Sequence, residues 1–211
     1  MTAVDYKKLE KQYYIPKTKP EIIQIPKMKF LMVDGKGNPN TSKDYSESLE
    51  ILYGLSYAIK MTKMSGNTPE GYFDYVVLPL EGLWWTENEE FKGEGFLNKD
   101  NFLWTSMIRQ PDFVTPEVLE KAKEVLLKKK PQLDISKVRL VEFEEGLCAQ
   151  ILHLGPYDDE PATIAKLVDF VNKSGYVEDF EIRKHHEIYL GDPRKTKPEN
   201  LKTVIRHPVK K

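Results

Sequence analysis

The sequence predicts an α+β fold, an antiparallel sheet with amphipathic helices packed against one face. Three observations carry this. Apolar or alternating stretches come in pairs, as at Ile22–Ile25 with Met28–Val33 and at His185–Leu190 with Leu201–Arg206. Three other segments repeat apolar residues at helical spacing. Along the chain these elements occur twice in one order: strand, strand, glycine-containing turn, helix, strand, strand. That order predicts duplicated strand-helix-strand-strand modules, with a ligand groove between pseudo-twofold halves.

Taken in order, residues 1–26 form an N-terminal extension, in which Asp5–Tyr14 reads as a short helix before Pro16. Residues 27–211 read as a single domain, with a first half at about 27–110, a connector helix at about 115–130 and a second half at about 138–208. The strands Ile22–Ile25 and Met28–Val33 close on the turn residues Asp34-Gly35-Lys36-Gly37-Asn38-Pro39. Asp44 is suited to cap a helix with Glu47 as reciprocal partner, and Leu49, Leu52, Leu55 and Ile59 form its apolar stripe. That helix stops near Ser65-Gly66-Asn67, and strands follow at Tyr75–Trp85 and Phe102–Arg109.

Thr115 is the expected cap of the connector, with Pro116 at the first helical position, where its missing N–H costs nothing. Val118, Ala122, Val125 and Leu126 are its stripe, and Lys128-Lys129-Lys130 complement the dipole at its end. Strands at Val138–Glu144 and Leu147–Leu154 flank Glu145-Gly146, read as a hairpin turn. The acidic Asp158-Asp159-Glu160-Pro161 opens a third helix carrying Ile164, Leu167, Val168 and Val171.

Charge excludes some partners. The formal net charge is −1, with no clustered basic face for nucleic acid. No apolar run is long enough to cross a bilayer, and the charged first residues are unlike a signal, so a cytoplasmic protein is expected. The single Cys148 rules out an intramolecular disulfide and reads as a small core residue. No cofactor or metal is expected. His153, His185, His186 and His207 are scattered, and His186-Glu187 lacks the second histidine of a zinc protease helix. Gly35-Lys36-Gly37-Asn38 lacks a phosphate loop's ending, and there is no Gly-x-Ser-x-Gly elbow. Oligomeric state is not set by the sequence.

What remains is carboxylates among aromatics. Alternation puts Glu187 and Tyr189 on one strand face, and Glu81, Leu83 and Trp85 on one face of another. Trp84 and Trp85 point to opposite faces, so they cannot share a core. Taken singly, Glu187 is more often a solvated strand residue, and Trp84, Trp85 and Trp104 are more often core anchors. Together, at matching places in two halves, they mark a surface for a flat, hydrophobic or cationic guest, held by stacking and one charged anchor. A desolvated carboxylate there could also act as a base.

The run His186-Glu187-Ile188-Tyr189-Leu190-Gly191-Asp192-Pro193, followed by Leu201-Lys202-Thr203-Val204-Ile205-Arg206-His207-Pro208, resembles the closing motif of the GyrI-like small-molecule-binding family. Leu152-His153-Leu154-Gly155-Pro156-Tyr157 is similar to that family's entry to its second helix. The resemblance covers the chain from about Lys27 onward. It implies a drug-binding groove with Glu187 as the anchoring glutamate. Many relatives carry a helix-turn-helix regulator, for which the short extension leaves no room, so a transcription regulator is not expected.

The aromatic-rich first half is similar to the branch of cyclopropanoid cyclopropyl hydrolases, which open the cyclopropane of DNA-alkylating natural products. That likeness implies a flat substrate stacked among Trp85, Trp104 and Tyr189, with Trp84 and Tyr157 completing the lining. Glu187 would take a proton from water, Tyr189 would donate to the developing oxyanion, and Glu81 would assist. The alternatives are non-catalytic sequestration or sensing of a hydrophobic small molecule, and a protein-interaction domain.

Overall fold

The structure is a computed structural model that describes residues 2–87 and 98–211. Among these residues the strands are β1 (Glu21–Lys36), β2 (Leu80–Trp85), β3 (Leu103–Gln110), β4 (Arg139–Leu154), β5 (Val177–Glu178), β6 (His185–Tyr189) and β7 (Lys202–Lys210). The helices are α1 (Tyr6–Leu9), α2 (Lys11–Tyr14), α3 (Lys43–Lys60), α4 (Pro116–Lys129) and α5 (Glu160–Lys173). No helix among the described residues is long and apolar enough to cross a membrane. The fold is α+β, as expected, and its strand pairs are antiparallel.

Strand order is β4-β1-β3-β2-β6-β7, and β4 pairs again with β7, so the sheet closes into a barrel-like ring. β5 adds to the end of β7. The face away from the helices is closed by the sheet itself. Met28, Phe30, Met32, Met107 and Cys148 fill that interior.

Two strands expected at 22–33 are one strand, and the hairpin expected at Glu145-Gly146 does not form, because β4 runs through it paired with β1 from Arg139 to Gln150. Pro26 and Gly146 are nonetheless special. Ile25 shares a cluster with Met28 and Phe30, and Phe143 shares it with Cys148, so inward alternation shifts by one residue in both strands. Pro26 has no N–H to contribute there, and Gly146 has a φ of 75°, which glycine adopts at little cost. The turn-like residues mark a change of phase rather than a reversal of the chain.

Helices α3 and α4 cover the outer face of β1 and β3. Leu52, Leu55 and Ile59 of α3 and Leu119, Ala122 and Leu126 of α4 pack with Leu31, Val33 and Ile108. α5 covers the other side, where Ile164, Leu167 and Val171 meet Ala149, Ile151 and Ile205. Each fully buried aliphatic side chain contributes about 1.5–3 kcal/mol. Thr115 caps α4 as expected, its Oγ1 accepting from the Val118 N–H at 3.4 Å. In that helix Val125 is exposed and Leu119 takes the core position. α3 is capped by Ser42, not Asp44, because Ser42 is the last residue with extended backbone and its Oγ accepts from the Tyr45 N–H at 3.2 Å. The strand expected from Tyr75 begins only at Leu80, and Tyr75 makes an isolated parallel bridge with Val4.

The expected N-terminal helix is two single turns, α1 and α2, lying against the ring. Glu10 pairs with Arg109, and Tyr14 is buried. The Gln150 side chain donates to the Gln12 carbonyl at 2.7 Å, and Arg206 donates to the Tyr13 carbonyl.

Candidate functional site

An open cavity of about 1230 Å³ lies between α3 and α5, over β2 and β6. Tyr45, Tyr53 and Tyr57 of α3 form one wall, and Glu160 and Ile164 of α5 the other. Trp84, His185, Glu187 and Tyr189 border it from the sheet. Strand pairing decides which side chains reach it. Gly82 lies opposite Glu187, and Trp84 lies opposite His185, so Trp84, His185, Glu187 and Tyr189 share the outer face.

Of the residues singled out from sequence, the fold brings together Glu187, Tyr189, Trp84 and Tyr157. The Tyr189 hydroxyl donates to Glu187 Oε2 at 2.6 Å, and the Trp84 indole N–H donates to the Tyr189 oxygen at 2.9 Å. Tyr157 stands edge-on to Tyr189, ring centres 5.7 Å apart. The fold does not bring Glu81, Trp85 or Trp104 into this cavity. Glu81 lies opposite Ile188, one residue out of phase with Glu187, so it points into the ring. Trp85 shares that opposite phase, with Lys184 Nζ 5.5 Å from its ring centre. Trp104 is 1% exposed, held behind Tyr45 and over Gly35, where a Cβ would come within 2.2 Å of the indole.

Sequence reasoning missed the groups that set the electrostatics of Glu187. His185 Nε2 lies 2.9 Å from Glu187 Oε1, and His185 Nδ1 lies 2.9 Å from His207 Nε2. Burial opposes ionisation of Glu187, but His185 and the Tyr189 hydroxyl outweigh it and hold its carboxyl below the usual range. Glu160 is the counterpart. Burial, then the neighbouring Glu187 charge, push its carboxyl well above that range. Two carboxyl groups side by side thus divide into one ionised base and one protonated acid. Burial and the Glu187 charge likewise keep Tyr189 a phenol. The signal for Glu160 was its place at the start of α5, where an acid reads as a helix-dipole partner.

Glu81 belongs to a second polar cluster, inside the ring. His186 Nε2 is 3.0 Å from Glu81, and its Nδ1 is 3.0 Å from Glu145. Arg206 reaches Glu145 at 3.1 Å and Gln150 at 3.1 Å. Two carboxylates and two cations balance there. Burial works against charge on His186, yet the two glutamates raise it to about 9. Burial likewise works against Glu145, which His186 and Arg206 hold at about 2.

The GyrI-like small molecule binding domain matches over residues 18–210. Two proteins of known crystal structure from Listeria innocua are similar along their whole length. One, described as a hydrolase, is 50% identical with a TM-score of 0.88, over 98% of this chain and 100% of that chain. Another, described as an uncharacterized conserved protein, is 52% identical with a TM-score of 0.91, over 98% of this chain and 100% of that one. The C-terminal domain of EcmrR shares the fold at 13% identity and a TM-score of 0.54, over 92% of this chain and 98% of that one. No curated protein matches the chain.

Proposed function

Because the chain belongs to the GyrI-like small molecule binding domain family, we propose that its cavity is a small-molecule groove in which Glu187 acts as the base of a hydrolase. The single observation that carries this is the Glu187 carboxylate, ionised between His185 and Tyr189 beside the protonated Glu160, on the wall of an aromatic cavity. The description of a 50% identical protein as a hydrolase supports the same reading. So does the pattern of pairing, in which β1 with β4, β2 with β6 and β3 with β7 occupy corresponding places. We read that pattern as two duplicated modules, with halves at about 27–110 and 138–208, and the groove as the space between them.

The finer assignment is a cyclopropanoid, DNA-alkylating substrate. Its flat conjugated body stacks on Trp84 and Tyr157, between the walls formed by α3 and α5. Glu187 takes a proton from water, and the water oxygen bonds to a cyclopropane carbon. The breaking C–C bond sends its electron pair to the conjugated oxygen, which Tyr189 or Glu160 protonates. Water is added across one bond, and no redox partner is required.

Glu187→Gln is expected to lower turnover of a conjugated cyclopropane by roughly a hundred- to ten-thousandfold, with Tyr189→Phe in the same direction. Unchanged turnover in both folded variants would sink the hydrolase. A second reading, sequestration, is favoured by the cavity's size, which exceeds the roughly 300–1,000 Å³ of drug-sized sites. Recovery of the incubated compound chemically unchanged would establish it.

A further inference from the structure

We propose that Glu187 is wired to the protein surface, away from the cavity, by a proton relay that runs through His185 and His207 to Glu178. The proposal rests on the hydrolase reading for its use in turnover, and on geometry alone for its existence. The relay is built from cross-strand neighbours. His186 pairs with Arg206, which sets His185 across from His207 on β6 and β7. Both imidazoles are buried, 2% and 0% exposed, and their nitrogens meet at 2.9 Å. His185 Nε2 reaches Glu187 at 2.9 Å, and His207 Nδ1 bonds the Glu178 carboxylate on β5. The Phe180 ring stands edge-on to His207, 5.1 Å centre to centre. The Glu178 side chain is 19% exposed, and neither it nor His207 borders the cavity. A bound ligand therefore does not block this exit.

Counting protons gives the direction of flow. Burial, then the neighbouring His185, hold His207 down to about 4, so its imidazole is neutral. With Nδ1–H donated to Glu178, its Nε2 must accept, and it accepts from His185 Nδ1–H. His185 Nε2 in turn donates to the ionised Glu187, so each of the three contacts carries one hydrogen. When Glu187 takes a proton from water, its charge no longer holds the hydrogens of His185 in place. The Nδ1 proton of His185 then passes to His207 Nε2 and the Nδ1 proton of His207 passes to Glu178 and solvent, so one proton leaves for the one Glu187 gained. Hydration consumes no net proton, so the same path run backwards returns one for the product oxygen and restores both imidazoles.

Glu178→Gln tests the relay at its most accessible member. The substituted amide can donate to His207 Nδ1, which reverses that contact and the one between the two imidazoles. ¹⁵N imidazole NMR on the full chain should then show His185 Nδ1 switch from protonated to unprotonated, two hydrogen bonds from the substitution. With a conjugated cyclopropane as probe, turnover should fall by up to roughly a hundredfold, the low end of what a positioned base is worth. KM should hold, the solvent isotope effect should rise, and Glu178→Asp should restore the rate. An unchanged His185 nitrogen, or a switched nitrogen with turnover unaltered, would overturn the proposal. If the wild-type protein leaves the probe intact, the hydrolase fails, and the nitrogen switch alone still decides whether the relay exists.

Discussion

His186→Gln would test the charge balance inside the ring. His186 is 1% exposed between Glu81 and Glu145, with a folded pKa of about 9 against an ordinary 6.5. That difference corresponds to roughly 3 kcal/mol of stability. The pKa is raised, so this stability is fully present below 6.5 and is lost as pH rises through about 9. The lowered pKa of Glu145 reflects the same attraction from the other partner and is not added. Its share is present above 4.5 and is lost as pH falls through about 2. The variant leaves two carboxylates buried with only Arg206 beside them, an expected loss of about 3–5 kcal/mol near pH 6. Urea unfolding at intervals from pH 6 to about pH 10 reads both effects. Glu160 also holds its proton more tightly when folded and drains stability as pH rises, so the quantity to follow is wild type minus variant. The gap should close by roughly 3 kcal/mol across the titration of His186. Parallel curves would refute a protonated His186.

Other outcomes follow from close packing and from the groove. In Gly82→Ala the added Cβ falls 2.6 Å from Trp84 Nε1, so the indole must move off the Tyr189 hydroxyl. A planar aromatic dye followed by tryptophan fluorescence should then bind more weakly, by about 0.5–1.5 kcal/mol for the lost hydrogen bond. Gly35→Ala drives a Cβ to 2.2 Å from the Trp104 ring, and urea unfolding should register a loss of about 1–3 kcal/mol from overpacking.

The fold class, the three main helices and the pair Glu187 and Tyr189 were legible because each depends on local periodicity. Alternation along one strand is enough to put Glu187 beside Tyr189. It says nothing about the neighbouring strand, so the one-residue offset that turns Glu81 inward became visible only with the β2–β6 register. His185 and His207 looked unrelated for the same reason, being adjacent only across β6 and β7. Glu145-Gly146 carried a real signal with the wrong meaning. A glycine at positive φ serves a turn or a phase change equally well, and the long partner β1 decides between them. Trp104 lies outside the cavity because Gly35 opposite it leaves a hollow that a large ring fills.

Closure of the ring by β7 also sets an order of events during synthesis. β1 must wait for β4, whose Arg139 sits opposite Met32, and β4 and β6 must both wait for β7, the last ring strand in sequence. Such long-range pairing makes for slow folding. Until β7 arrives, the nascent chain holds two unprotected strand edges and a Glu145 without its arginine. A ribosome that stalled before Lys202 would release a chain prone to aggregate rather than a weakened protein. Chaperone demand in the cell should therefore be greatest in the interval before the final strand emerges.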